Sequence, residues 1–161
     1  MSGASLTTPA LRSAVGDCRW EGVEPRAYKD EAAAPFKGVS RQTLASDPRL
    51  AGELRYFEVE PSGHSTLERH EHMHAVMILC GEGEVLVGNE VLAVKPHDLV
   101  TIGGWTWHQF RASVGDKLGF LCLVNATRDR PQLPTPDDLA ALRADPAIAR
   151  FLDGAGDRNI T

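Results

Sequence analysis

One short stretch of the sequence is unusually rich in histidine. Residues 68–74 read Glu-Arg-His-Glu-His-Met-His, and four of the six histidines in the chain lie in the segment from His64 to His74. A neutral imidazole ring is a good ligand for zinc, iron, nickel and copper, and a carboxylate adds negative charge and hardness. The pattern therefore indicates a transition-metal site.

Alternation along a β-strand predicts how these side chains converge. Residues two apart project from the same face of a strand, so Glu68 and His70 face the same way if they end one strand. If the chain turns and returns, His74 opens an antiparallel neighbour beside them. His108 follows a glycine-rich turn and opens a further strand. We predict that one divalent metal ion (iron, manganese, nickel or zinc) is bound by Glu68, His70, His74 and His108.

Length and composition limit the class of protein. The 161 residues suit one domain, and the net charge of −5 comes without any run of basic residues, which argues against nucleic-acid and anionic-membrane partners. No apolar stretch approaches the roughly 20 residues that span a bilayer, and no secretory signal is evident. Three widely spaced cysteines do not suggest a disulfide framework. We therefore expect a cytoplasmic protein.

The central part of the chain has the pattern of closely spaced short strands. They are predicted at 53–60, 75–80, 84–87, 90–94, 99–102, 108–112 and 118–124, with an edge strand near 39–44 and a break at 61–63. Such spacing favours a β-sandwich or barrel and leaves no room for crossover helices. Near the C-terminus, Thr135-Pro136 and Asp145-Pro146 have the residue types that begin helices.

This arrangement resembles the cupin superfamily over residues 53–125. Counting back from Gly81, the glutamate position of the first cupin motif falls on His74, the second histidine position on His70 and the first on Glu68. Of the second motif, His108 is retained. The resemblance implies an all-β double-stranded β-helix, or jelly-roll barrel, with a short C-terminal helical tail. We expect an N-terminal arm over 1–38, the barrel over 39–127 and the tail over 128–161.

The resemblance also implies an activity and an assembly. A metal with open coordination positions can oxidise a chelated substrate with O2. Our first expectation is therefore a metal-dependent oxygenase whose partner is a small-molecule substrate, a small organic compound chelated to the metal. The alternatives are a lyase or isomerase that uses the metal as a Lewis acid, and a metal-containing binding or sensor domain without turnover. The motif region offers few basic residues for a phosphate, only Arg55, Arg69 and Arg111. Single-domain cupins commonly pair, so we expect a homodimer.

Several residues near the motif have two possible roles. His72 either replaces Glu68 as a ligand or supports the site from the turn, and His64 either lines the pocket or lies in an exposed turn. Trp105 and Trp107 either wall a substrate pocket or cover the barrel mouth. Two further aromatic residues, Tyr56 and Phe110, are expected to line the pocket.

Overall fold

The computed structural model describes residues 9–29 and 34–154. The predicted arm and tail are therefore described only in part, since residues 1–8, 30–33 and 155–161 lie outside those ranges. Within them the strands are β1 (Ala14–Gly16), β2 (Arg19–Trp20), β3 (Arg26–Ala27), β4 (Lys37–Ser46), β5 (Gly52–His64), β6 (His74–Gly81), β7 (Gly83–Val87), β8 (Glu90–Val94), β9 (Leu99–Ile102), β10 (His108–Ala112) and β11 (Leu118–Asn125). The helices are α1 (Pro136–Arg143) and α2 (Pro146–Leu152).

Nine of these strands form one curled antiparallel sheet. Seven follow the order β8-β7-β10-β5-β11-β6-β9, while β4 pairs with β5 and β3 pairs with β4. The hydrophobic core contains a stack of aromatic rings, in which the Phe120 ring centroid lies 4.3 Å from that of Phe110 and 5.5 Å from that of Phe57. The predicted all-β jelly-roll barrel with two short C-terminal helices is confirmed.

The predicted break at residues 61–63 does not end a strand. β5 instead changes partner there, since it pairs with β11 up to Val59 and with β10 at His64. Ser62 has a φ of 61° and donates its backbone N–H to Ser113 O at 2.9 Å. Pro61 is tolerated because the change of partner bends the strand at a point where an N–H is dispensable.

Part of the predicted loose arm is ordered as a hairpin. β1 and β2 are joined by a turn in which Cys18 has a φ of 50°. The Trp20 ring meets Tyr56 edge-on at 5.2 Å, and Arg19 forms an ion pair with Glu58 at 3.3 Å. The two turn residues, Asp17 and Cys18, include no glycine, so the local sequence gives little indication of a tight turn here.

The helical tail packs on the outside of the barrel. Thr135 caps α1 in a reciprocal capping box with Asp138, and Asp145 caps α2, as their sequence signals predict. On α2, Ile148 and Phe151 are buried in a second apolar cluster with Leu67 and Leu86. Neither helix in the described part of the chain is long and apolar enough to cross a membrane.

Candidate metal centre

Glu68 and His108 face each other across two hydrogen-bonded segments. Glu68 donates its backbone N–H to His108 O at 3.2 Å, and His108 donates to Glu68 O at 3.0 Å. The prediction that the strand of His74 lies beside Glu68 and His70 is wrong, because β6 pairs with β11 and β9. The start of β10 provides the neighbouring segment instead. Both side chains are buried, with Glu68 6% and His108 5% exposed.

The candidate ligand atoms form two overlapping groups. Glu68, His70 and His108 make one group, and His70, His72 and His74 make the other. Within each group the ligand atoms all lie within 4.8 Å of one another. His70 belongs to both groups and is 2% exposed, so it lies at the centre of the cluster.

Backbone carbonyls orient two of the imidazole rings. His70 Nδ1 lies 2.7 Å from His72 O, and His108 Nδ1 lies 2.9 Å from Thr106 O. A carbonyl can only accept, so each Nδ1 carries the proton and each Nε2 keeps its lone pair. This arrangement is typical of metal-binding histidines, in which a second hydrogen bond fixes the tautomer.

His74 extends the cluster toward a cysteine. Its Nε2 lies 2.8 Å from His70 Nε2, and its Nδ1 lies 2.9 Å from Cys122 Sγ. Two nitrogen lone pairs at this separation repel unless a proton or a cation lies between them. Bonds from a metal to histidine nitrogen are about 2.1 Å long, so one ion can satisfy both atoms. The donor set of neutral imidazoles and one carboxylate suits iron, manganese, nickel or zinc.

His72 has a supporting contact of its own. Its ring stacks on His70 with centroids 3.6 Å apart, and its Nδ1 lies 2.7 Å from Asp129 Oδ1. The Asp129 carboxylate also accepts the backbone N–H groups of Glu71 at 2.8 Å and His72 at 3.1 Å. These backbone hydrogen bonds hold the pKa of Asp129 well below its usual range. Asp129 thus fixes the turn between His70 and His74.

Burial favours the neutral, metal-binding form of His70, His74 and His108. Desolvation lowers the pKa of His74 to about 2 and that of His108 to about 4, and it also lowers the pKa of His70. The Glu68 carboxylate forms an ion pair with Lys29 Nζ. Lys29 therefore competes with a cation for one oxygen of this carboxylate.

The cluster opens into a cavity of about 150 Å³. Its wall carries four cationic side chains, namely Lys29, Arg41, Arg55 and Arg128. The expectation of few basic residues near the motif is therefore wrong. Arg41 comes from β4, outside the motif region, and Arg128 follows β11, so neither is close to the histidines in sequence. Cys122 also lines this cavity, opposite Arg55 on the neighbouring strand.

The aromatic residues expected in the pocket lie elsewhere. Tyr56 is fully buried beside the hairpin and donates its hydroxyl to Glu58 at 2.8 Å, and Phe110 packs in the barrel core. Trp107 packs against the second apolar cluster, and Trp105 is half exposed with a φ of 57°. None of the four is among the residues that line the 150 Å³ cavity.

His64 also lies away from the cluster. It ends β5 opposite Arg111, and its Nδ1 lies 3.0 Å from Ser65 O. A larger cavity of about 630 Å³ lies on this side of the molecule, where Glu82, Lys95 and Arg111 contribute to its wall. No histidine of the described residues lines that cavity, so size alone does not locate the candidate metal centre.

Sequence reasoning missed four side chains of the cavity: Lys29, Arg41, Arg128 and Asp129. Their convergence depends on the curvature of the sheet, which local patterns do not carry. Cys122 offered a weak signal, because strand alternation on β11 places it on the face opposite to Leu121 and Leu123. Together with an inward-facing His74, this alternation could have predicted that Cys122 lines the cavity.

Comparison with known proteins supplies the family. A model of the cupin domain matches residues 55–124. The chain is 65% identical over 136 residues to the 1-methylthio-D-xylulose 5-phosphate methylsulfurylase of Rhodospirillum rubrum, covering 84% of this chain and 87% of that protein. It is 37% identical to a 5-nitrosalicylic acid 1,2-dioxygenase of a Bradyrhizobium species, over 58% of this chain and only 56% of that protein.

The fold comparison agrees with the sequence comparison. The crystal structure of a cupin-2 domain from Rhodospirillum rubrum superposes with a TM-score of 0.83 at 61% identity, covering 91% of this chain and 99% of that one. The matched region includes every candidate ligand from Glu68 to His108. The chain belongs to the cupin family.

Proposed function

We propose that this protein is a metal-dependent cupin enzyme that acts on a methylthio-substituted ketose phosphate. The observation that carries the proposal is one cavity that joins the His/Glu cluster to a cationic wall. The 65% identity to a protein named for 1-methylthio-D-xylulose 5-phosphate supports the choice of substrate class.

The name of that substrate places its sulfur beside a carbonyl group. In a 1-methylthio-2-ketose, the carbon that carries sulfur is bonded directly to the ketone carbon. A divalent ion bound by Glu68, His70, His74 and His108 supplies Lewis-acid polarisation of such a carbonyl. This activity corresponds to the non-oxidative alternative predicted from the sequence, in which the metal acts as a Lewis acid. The roles of the four residues as ligands are part of the proposal.

The remaining residues of the cavity position the substrate and keep water out. Tyr28, Phe57 and Val124 contribute apolar surface suited to a methylthio group. Burial raises the pKa of the Cys122 thiol to about 12, so at neutral pH it is protonated. As a neutral thiol it can donate a weak hydrogen bond to His74 Nδ1.

An oxygenase is the second candidate, favoured by the 37% identity to a nitrosalicylate dioxygenase. That relationship spans little more than half of the dioxygenase, and the cavity of this chain is cationic as well as apolar. The two candidates differ in their requirement for O2. A binding domain without turnover differs from both because it leaves its ligand unchanged.

The test is an incubation of the metal-loaded full-length protein with 1-methylthio-D-xylulose 5-phosphate, with and without O2. A small thiol is added to take up the methylthio group as a mixed disulfide, so that the C1–S bonding pair passes to an enolate that is then protonated to a methyl ketone. We expect mass spectrometry to show this loss of the methylthio group at the same rate with and without O2, and no loss after chelation. An absolute requirement for O2 would favour the oxygenase. Binding without chemical change would favour the non-catalytic domain.

We further propose the homodimer and the cytoplasmic location expected from the sequence. Met77 on β6 lies opposite Leu99 on β9, and Leu123 on β11 projects from the same face of the sheet. These three side chains are between 43% and 64% exposed. A contiguous exposed apolar face of this kind suits a contact with a second copy of the chain.

A further inference from the structure

We propose that Arg41, Arg55 and Arg128 form the subsite that binds the phosphate group of the substrate. The inference deepens the proposed function and rests on it for the identity of the whole substrate.

The three arginines reach the cavity from neighbouring elements. Arg41 lies on β4 opposite Phe57, and Arg55 lies two residues earlier on β5, so the two occupy diagonal positions on the same face of the sheet. Arg128 lies three residues beyond the end of β11, the strand on the other side of β5. All three line the same 150 Å³ cavity as His70 and His74.

The charges around these arginines do not balance. Arg55 Nε donates to Glu53 Oε2 at 2.8 Å, and Arg128 Nη1 lies 3.3 Å from the same oxygen. Among residues 9–29 and 34–154, no carboxylate lies within ion-pair distance of Arg41. The cluster therefore has three positive charges against the one negative charge of Glu53.

The other carboxylates of the cavity are already engaged elsewhere. Glu68 pairs with Lys29, and Asp129 accepts hydrogen bonds from His72 and the turn that contains it. The three guanidinium groups outnumber the one carboxylate that pairs with them, which suits a phosphate monoester, a group that carries close to two negative charges at neutral pH. Guanidinium groups also present paired N–H donors that fit phosphate oxygens.

Burial makes the unbalanced charge costly. Desolvation lowers the pKa of Arg41, and the nearby charges of Arg55 and Arg128 lower it further. Because arginine stays protonated in proteins, the repulsion persists as a free-energy cost in the unliganded protein. A bound dianion removes that cost.

The row of side chains across the sheet connects the two ends of the cavity. Cys122 lies opposite Arg55, and its Sγ is 2.9 Å from His74 Nδ1. Directly opposed residues on neighbouring strands have Cβ atoms about 5 Å apart. Arg55 therefore lies one strand beyond the thiol that contacts the histidine cluster, and Arg41 lies one strand further, on β4. This span suits the carbon chain of a small sugar phosphate.

The test measures binding of inorganic phosphate to the full-length protein by titration calorimetry, without any need for turnover. We expect Arg41→Gln to weaken phosphate binding by about 10- to 100-fold, the usual effect of losing one charged hydrogen-bond partner. The phosphate affinity of Arg41→Lys should lie between those of the wild type and Arg41→Gln, because lysine keeps the charge but loses the paired donors. Arg49→Gln is the matched control, since Arg49 is exposed and pairs with Asp47 outside the cavity.

Two results would overturn the subsite. One is absence of phosphate binding by the wild-type protein, and the other is unchanged binding by a folded Arg41→Gln variant, as expected if phosphate bound the metal instead. If circular dichroism shows that Arg41→Gln does not fold, the same comparison is made with Arg128→Gln, for which unchanged phosphate binding would likewise overturn the subsite. Failure of the proposed function has a different signature, in which phosphate binding depends on Arg41 but the methylthio substrate is not consumed.

Discussion

The Nε2 atoms of His70 and His74 lie 2.8 Å apart, on rings that come from opposite sides of one turn. Since His70 Nδ1 donates its proton to a carbonyl, the proton between the two Nε2 atoms belongs to His74. A cation that takes the place of this proton moves it to His74 Nδ1, which then donates to Cys122 Sγ. Each ring nitrogen of His74 therefore has a hydrogen-bond partner in both protonation patterns.

The first prediction concerns metal content. His74→Ala and His108→Ala should each lower the metal bound per chain sharply, because each removes one neutral nitrogen ligand from the buried cluster. Elemental analysis of the purified variants measures this. His64→Ala is the control, since His64 lies outside both ligand groups. Full metal occupancy in both cluster variants would show that the site is elsewhere.

The second prediction distinguishes the two ligand groups. Glu68→Gln should weaken metal binding more than His72→Ala, because Glu68 supplies the only carboxylate of the two groups, while His72 is tied to Asp129. Competition with a chelating dye gives the affinities. The opposite order would assign the ion to His70, His72 and His74. An intermediate loss of about 10- to 100-fold for His72→Ala is the size expected of a supporting contact.

The third prediction concerns Gly119, where β11 passes the buried Tyr56 hydroxyl. An added Cβ would lie 2.5 Å from Cys80 Sγ and closer still to Tyr56 Oη. Gly119→Ala should therefore lower the free energy of unfolding by about 1–3 kcal/mol, the usual cost of overpacking. Thermal melting measures it against Gly115→Ala, a position with no atom within 4 Å of the added carbon. Equal melting temperatures would show that the two residues move aside freely.

The fourth prediction concerns the pH dependence of thiol chemistry. Burial raises the pKa of Cys18 to about 11, so at pH 8 about one molecule in a thousand carries this thiolate. Alkylation of Cys18 by iodoacetamide should be slow at pH 8 and rise about tenfold per pH unit until the pKa is reached. Peptide mapping by mass spectrometry measures the rate, with the urea-unfolded chain as reference. A native rate at pH 8 that equals the unfolded rate would contradict the prediction.

The fifth prediction concerns assembly. Leu99→Glu should convert a homodimer to monomers, because it places a charge in the exposed apolar face with Met77 and Leu123. Light scattering after size exclusion gives the mass. Leu11→Glu is the control at another exposed apolar position, 77% accessible and outside that face. A wild-type protein that is already monomeric would remove the basis for the contact.

The sequence predicted the parts of the fold that depend on local pattern. The strands from β6 to β11 and the capped starts of α1 and α2 are close to their predicted bounds, whereas β5 continues four residues beyond its predicted end. The hairpin at residues 14–20 was missed because its turn residue, Cys18, adopts a conformation usually reserved for glycine or asparagine. Pro61 was wrongly predicted to end a strand, because whether a strand tolerates a proline depends on which strand pairs with it at that position.

In the candidate site, too, some features depend on local sequence and others on the three-dimensional fold. The spacing of Glu68, His70 and His74 suffices to identify the motif, while the pairing of Glu68 with His108 requires the register of the barrel. The arginines could not be predicted to meet the histidines, because Arg41 and Arg128 are 87 residues apart in sequence and lie together only in the curved sheet. Local pattern thus predicts which residues are candidate metal ligands, but not which cationic side chains line the same cavity.

That separation has an evolutionary consequence. Two of the arginines belong to the β4–β5 pair and the third follows β11, whereas the histidines belong to the 68–74 turn, the start of β6 and the start of β10. Substitutions on the arginine side can change the preferred ligand while the imidazole cluster and its backbone supports stay intact. In a barrel of this design, the cationic wall and the imidazole cluster can therefore vary independently of one another.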